Sequence, residues 1–139
     1  MANYSYTVFN VLAGGAVIDS SAVAVTNNQA LLNGTAGATD GGLTKLGTGS
    51  LTLGANNTYK GSTTISNGTL RLLATGSISN SAVINVTRGT VFDVSAYTSG
   101  YTLTNNQILA GNGGVTGAVV VASGAVSYTH LTLPTNREV

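Results

Sequence analysis

The chain has 139 residues, only nine of them Lys, Arg, Asp or Glu, and a formal net charge of +1. Hydrophobic residues reach 42%, too many for a disordered chain, while Gly, Thr, Ser and Asn supply nearly half of the sequence. This balance excludes a basic nucleic-acid-binding surface, and the lack of Cys excludes a disulfide frame, a thiol nucleophile and a zinc knuckle.

Met1–Asn10 has no basic segment followed by an apolar run, so it does not read as a signal peptide. No stretch approaches the ~18 consecutive apolar residues of a membrane-spanning helix. Two expectations compete at this point, a cytosolic protein and a fragment of a longer exported one, and the repeats described below favour the fragment. Strong helix formers are scarce, and Gly, Thr, Ser, Asn and Val are all poor helix residues. Short β-type runs recur instead, separated by Gly and Asn. They lie at Ala22–Thr26, Ser50–Leu53, Thr63–Ile65, Thr69–Leu72, Ala82–Val86, Thr90–Val94, Tyr101–Thr104 and Ala118–Val121. Leu51, Leu53, Leu70, Leu72, Ile84, Val86, Phe92 and Val94 alternate with their neighbours, so they are expected to point inward.

The runs repeat. Gly49-Ser50-Leu51-Thr52-Leu53 is echoed by Gly68-Thr69-Leu70-Arg71-Leu72 and, more loosely, by Gly89-Thr90-Val91-Phe92-Asp93-Val94. Thr26-Asn27-Asn28-Gln29-Ala30-Leu31 is echoed by Thr104-Asn105-Asn106-Gln107-Ile108-Leu109. The leading glycines Gly49, Gly68 and Gly89 set a period of roughly 20 residues, built from short strands and Gly turns. One coil of a parallel β-solenoid needs just this. Residues 1–125 are expected to form about six coils, a rod about 30 Å long at the usual strand spacing. One coil cannot stand alone. Ordering it costs roughly 20–40 kcal/mol of backbone entropy, against about 1.5–3 kcal/mol for each of a handful of buried aliphatics.

Within this repeat, Gly42-Leu43-Thr44-Lys45, Gly47-Thr48-Gly49-Ser50-Leu51-Thr52-Leu53, Asn57-Thr58-Tyr59-Lys60-Gly61 and Asn67-Gly68-Thr69-Leu70-Arg71-Leu72 follow in register. The string from Gly42 to Leu72 resembles the autotransporter-associated β-strand repeat, also called the passenger-associated transport repeat. Ser81–Val121 is similar to the spacer that often follows such repeats, through Gly100-Tyr101-Thr102-Leu103 and Leu109-Ala110-Gly111-Asn112-Gly113. The resemblance implies a right-handed parallel β-helix, an extracellular or cell-surface destination, and a structural role in an exported passenger that favours its secretion. It brings no catalytic motif and no cofactor.

The residues offer little chemistry of their own. Before Val126 the acids are Asp19, Asp40 and Asp93, and the bases are Lys45, Lys60, Arg71 and Arg88. Asp19 precedes Ser20-Ser21 and Asp40 precedes Gly41-Gly42, so both read as turn residues that accept backbone amides. Asp93 reads as the outer face of a strand. Glycoside hydrolysis needs two acids converging on a groove, and these three are scattered. Calcium-binding solenoid repeats need Asp where Gly111-Asn112-Gly113-Gly114-Val115 has none. Neither Gly111–Gly114 nor Gly47-Thr48-Gly49 precedes a helix, so neither cradles phosphate. Tyr59, Tyr97 and Tyr101 are candidates for stacking on sugar rings, with turn packing or edge cover as the plainer reading. Thr102 and Thr104 form the one Thr-x-Thr pair, too few for a water-ordering array. Asn-x-Ser/Thr triplets at Asn33, Asn56, Asn67 and Asn85 are expected by chance at this composition.

The expected fold is therefore all-β, a right-handed parallel β-helix over residues 1–125 with the transport repeat at 42–72. The expected function is a non-enzymatic stalk segment of a large bacterial surface or secreted protein, assisting passenger folding and secretion. The alternative is an adhesin-type module for glycans or host proteins, which a basic or aromatic stripe along one face would carry. A polysaccharide-degrading β-helix enzyme ranks third. The expected partners are neighbouring coils of the same parent chain. No catalytic, cofactor-binding or metal-binding residue, nucleic-acid partner or membrane span is expected.

After Ala125 the sequence changes character. Val126–Val139 holds the only His (His130), the only Pro (Pro134) and the only Glu (Glu138). The string resembles a translated sequencing-library adapter, so Ser127 and His130 are not read as a nucleophilic pair. It still alternates like a strand. Pro134 lacks an amide hydrogen, so any pairing is expected to end before Asn136.

Overall fold

A computed structural model describes residues 9–127 and 135–138. In chain order its strands are β1 (Phe9–Val11), β2 (Ala16–Asp19), β3 (Val25–Asn27), β4 (Leu31–Asn33), β5 (Leu43–Leu46), β6 (Ser50–Leu53), β7 (Thr63–Ile65) and β8 (Thr69–Leu72). They continue as β9 (Val83–Val86), β10 (Val91–Asp93), β11 (Tyr101–Leu103), β12 (Ile108–Gly111), β13 (Gly114–Thr116), β14 (Ala118–Val121), β15 (Val126–Ser127) and β16 (Thr135–Glu138). The described residues contain no helix.

Each strand pairs with one a full coil away, and these pairings are all parallel. The chain winds through about five turns of a parallel β-solenoid. One face is the sheet β2-β5-β7-β9-β12-β15, and the second is β3-β6-β8-β10-β13. The third face is broken into β1-β4 and β11-β14-β16, with a single bridge from Asn56 to Ser77 between them. The turn count falls below the expected six because the coils are uneven. The coil that runs from Ala16 to its partner Leu43 is longer than the next one, from Leu43 to its partner Thr63. The extra length of the first coil lies in the segment Gly34–Thr39, outside any strand.

The core is a set of side-chain columns running along the solenoid. On the second face Leu51, Leu70, Phe92 and Val115 stack in register, all buried. Leu53 lies over Leu72. All eight residues expected to point inward are fully buried. The strand runs Ser50–Leu53, Thr63–Ile65, Thr69–Leu72 and Ala118–Val121 match the observed strands, whereas Ala22–Thr26 is shifted to Val25–Asn27.

The looser Gly89 string carries one additional residue: Leu70 sits over Phe92, so Gly68 falls opposite Thr90, in the turn closed by Thr90 N donating to Thr87 O. One expectation is corrected: pairing continues past Asn136. β16 lies on β14 with Asn136 opposite Val119 and Glu138 opposite Val121. The paired strand begins at Thr135, and every residue in it carries an amide hydrogen. His130 and Pro134 lie outside the described residues.

Candidate functional site

The polar side chains that the fold buries are concentrated at the corners between faces. Asp40 sits at the corner before β5, with only 5% of its surface exposed. Its Oδ1 accepts the amides of Gly42 and Gly61, both at 2.9 Å, and its Oδ2 accepts the Lys60 amide at 2.9 Å. Asp40 was expected to be a local turn residue. It also clamps the next coil, because the parallel stack brings the Lys60-Gly61 corner directly over its own. A carboxylate holding three amides has its lone pairs committed to structure.

Lys45 is the residue whose role the sequence concealed. It occupies an inward position of β5, between Ile18 and Ile65 in the same column, and is fully buried. Its ammonium donates to the carbonyls of Leu46 (2.6 Å), Gly47 (2.7 Å) and Asn67 (3.2 Å), the last on the neighbouring coil. Burial holds its pKa below the usual lysine value, and the Asp19 carboxylate opposes that shift. The strict alternation of Leu43 and Lys45 was the available signal, since it puts both side chains on one face.

A hydroxyl chain lies deeper. The Tyr59 hydroxyl is 2.6 Å from Thr63 Oγ1, which is 2.8 Å from Ser81 Oγ, and Ser81 Oγ donates to Gly61 O at 2.8 Å. With Ser81 committed to that carbonyl, the chain runs from Tyr59 as first donor. Asn57 joins three coils: its Oδ1 accepts the Leu31 amide, and its Nδ2 donates to Ala55 O and Ser77 O. Gln107 donates from Nε2 to Ile78 O and Ser81 O. These bonds leave few buried polar atoms unpartnered.

Two of the three aromatic candidates for sugar stacking lie in the core. Tyr59 is fully buried and Tyr101 is 3% exposed. Tyr101 packs edge-on against Phe92 (5.6 Å between centroids) and Tyr97 (5.4 Å). Burial pushes the phenols of Tyr59, Tyr97 and Tyr101 upward in pKa. The Tyr101 hydroxyl has no well-aligned hydrogen-bond partner.

The acids do not come together. Asp19 ends β2 and accepts the Ser21 amide at 2.7 Å, as expected of it. Asp93 ends β10 on the second face, with Oδ1 taking the Ser95 amide and hydroxyl and Oδ2 3.8 Å from Arg71 Nε. Among the described residues no group of three or more His, Asp or Glu could hold a metal ion. Lys60, Arg71 and Arg88 are exposed at separate corners and strands rather than in a stripe. Two hollows among the described residues bear on a binding role. One, of about 280 Å³, is apolar and lies at the N-terminal end of the stack, lined by Phe9, Ala16, Ile18, Asn27 and Leu31. The other, of about 160 Å³, is a shallow polar groove along Ser79–Ala82 and Asn105–Gln107.

The Asp40 clamp, the Lys45 anchor, Asn57 and Tyr59 thus fall at or within two consecutive coils, β5-β6 and β7-β8. Residues 43–72, which cover the first of those coils and the two strands β7 and β8 of the second, match the family model described as Passenger-associated-transport-repeat. This segment is a passenger-associated transport repeat. No curated protein and no solved structure matches the chain. The transport repeat begins one residue inside the span expected from sequence and ends on the same Leu72. Its Gly-x-Gly-x-Leu-x-Leu string is the corner and strand β6, and its Asn-Gly-x-Leu-x-Leu string is the corner and strand β8, stacked Leu51 on Leu70 and Leu53 on Leu72. The Lys and Tyr of the transport repeat, Lys45 and Tyr59, are both core residues.

Proposed function

We propose that this chain is a non-enzymatic structural segment of a bacterial passenger, a β-solenoid stalk exported to the cell surface or beyond. The observation that carries the reading is the transport repeat folded as about one and a half coils in the middle of a continuous solenoid, its Lys45 and Asn57 spent on coil-to-coil hydrogen bonds. The acids and the inward lysine bind backbone and leave no group poised for substrate. The partners in this reading are further coils of the same parent chain, stacked on the solenoid ends. The adhesin alternative loses its main support, because two of its three tyrosines are in the core. In this reading residues 126–139 serve no function. The parent locus, sequenced with a different library chemistry, checks that point: the same codons running on into natural coding sequence would overturn it.

The experiment places residues 9–127 in the passenger of an autotransporter and follows surface display by protease accessibility on intact cells. Removing residues 43–72 should lower the displayed amount well below that obtained by removing a comparable length from residues 83–111. Equal display from both deletions would sink the assignment of a secretion role to the transport repeat.

A further inference from the structure

The register of β5 cannot be explained by its apolar side chains. On the inner face Leu43 lies opposite Ala16 on one side and Thr63 on the other, while Lys45 lies between Ile18 and Ile65. Sliding β5 by two positions keeps every side chain on its own face. It would also place Leu43 between Ile18 and Ile65, aliphatic against aliphatic on both sides. Apolar matching alone therefore favours the slipped arrangement over the observed one.

Two groups oppose the slip. Asp40 reaches the amides of Lys60 and Gly61 only in the observed register. In the observed register Lys45 reaches the Asn67 carbonyl of the next coil while holding Leu46 O and Gly47 O on its own, and a slip would carry it out of the column between Ile18 and Ile65 where these three bonds are made. Gly42 adds to the bias. It has φ 75, and a Cβ there would collide with Ser62 O, so a slip that brought residue 40 into this corner would crowd it. We infer that Asp40 and Lys45 are register pins: buried polar side chains that select one stacking of the transport repeat against the β-strands on either side of it, against a competing stacking with better apolar contact. Buried polar groups set register in the same manner elsewhere, because a misaligned partner leaves them unsatisfied.

The chain has no Cys, so engineered pairs report register without interference. Thr44 lies opposite Thr64, and in the slipped register it would lie opposite Ser66. Adjacent strands about 4.8 Å apart bring a Thr44→Cys/Thr64→Cys pair within disulfide range, whereas a Thr44→Cys/Ser66→Cys pair lies beyond about 7 Å unless the strand has slipped. Both pairs are introduced into the full chain, with and without Asp40→Asn and Lys45→Met, singly and together. Each protein is refolded from denaturant and oxidised briefly. In the parent background the 44/64 disulfide should dominate. In the double variant, with β circular dichroism retained, the 44/66 disulfide should rise about tenfold relative to 44/64, the ratio expected when about 1.4 kcal/mol of register preference is lost. An unchanged ratio in the folded single and double variants would overturn the proposal. So would loss of both disulfides together with the β signal, since the two residues would then be holding the fold rather than its register.

Discussion

The Gly61 amide donates to Asp40 Oδ1 at 2.9 Å from the next coil along the chain, so one carboxylate ties the corner of one coil to the corner of the next. Its other oxygen takes the Lys60 amide, which leaves no simple replacement for it. Asp40→Ala should cost about 3 kcal/mol or more, since buried amides lose a charged acceptor. Asp40→Asn should cost less, because it keeps one acceptor oxygen. Urea titration of the two variants would show that ordering, and equal midpoints for Asp40→Ala and the parent would mean that the clamp is incidental.

Leu70 stacks between Leu51 and Phe92 with no exposed surface, whereas Thr69 beside it is half-buried on the other side of the strand. Leu70→Ala should therefore cost about 2–5 kcal/mol, and Leu70→Asp should unfold the stack by burying an unpaired charge. Thr69→Asp should be far milder. A thermal melt in which Thr69→Asp did the greater damage would invert the assigned faces.

The two corner glycines Gly68 and Gly89 have similar left-handed backbones, φ 69 and φ 81. Their surroundings differ. A Cβ on Gly68 would run into the carbonyls of Gly49 and Gly47, while a Cβ on Gly89 meets nothing within 4 Å. Gly89→Ala should cost only the conformational strain, about 1–2 kcal/mol. Gly68→Ala should cost distinctly more, because backbone must move as well. Comparable melting temperatures for the two variants would show that the coils are looser than the close packing at Gly68 implies.

The buried tyrosines set the alkaline limit. Burial raises the folded-state pKa of Tyr59 and Tyr101 above the ordinary 10.0, so their contribution is intact below pH 10 and is lost as pH climbs toward the raised values. Each should remove roughly 1.4 kcal/mol per pH unit in that window. Lys45 acts in the opposite sense: its folded pKa is lowered, so stability rises with pH up to its ordinary value of 10.5 and no further. The net slope above pH 10.5 is therefore downward. Tyr101→Phe gives up no well-aligned hydrogen bond, so it should leave stability near neutral pH unchanged or slightly higher and make the alkaline decline shallower. An unaltered alkaline slope in Tyr101→Phe would remove this residue from the account.

The N-terminal end of the stack should be adhesive. Phe9, Leu12, Val17 and Val23 are exposed there, beside the apolar hollow, and among the described residues β2 and β3 are each paired on one side only. Free edges of this kind invite pairing with another chain. Sedimentation of the purified chain should show mass rising with concentration, and Val17→Lys on the β2 edge should reduce it. A monomer at every concentration, in both proteins, would mean that the end is already closed.

The fold class was legible because its signals are local. Alternation at Leu51–Leu53, Leu70–Leu72 and Ile84–Val86 needs only neighbouring residues to put one set of side chains inward, and all of them are buried as read. The transport repeat was legible for the same reason, as a run of fixed spacings between Gly42 and Leu72. What the sequence did not disclose depends on which residue of one coil meets which residue of the next. The step from Ile108 to its partner Val126 is much shorter than the step from Ala16 to its partner Leu43, so no single period predicts the partner. Asp40 therefore read as a local turn residue, and Lys45 as one of four bases before Val126 with no role of its own. Tyr59 read as a candidate for sugar stacking, or as turn packing or edge cover, until stacking placed Thr63 and Ser81 against its hydroxyl. Side-chain facing follows from the backbone period of two and is written in each strand. Register follows from hydrogen bonds between residues about a coil apart, and only the assembled solenoid brings those residues within reach of each other.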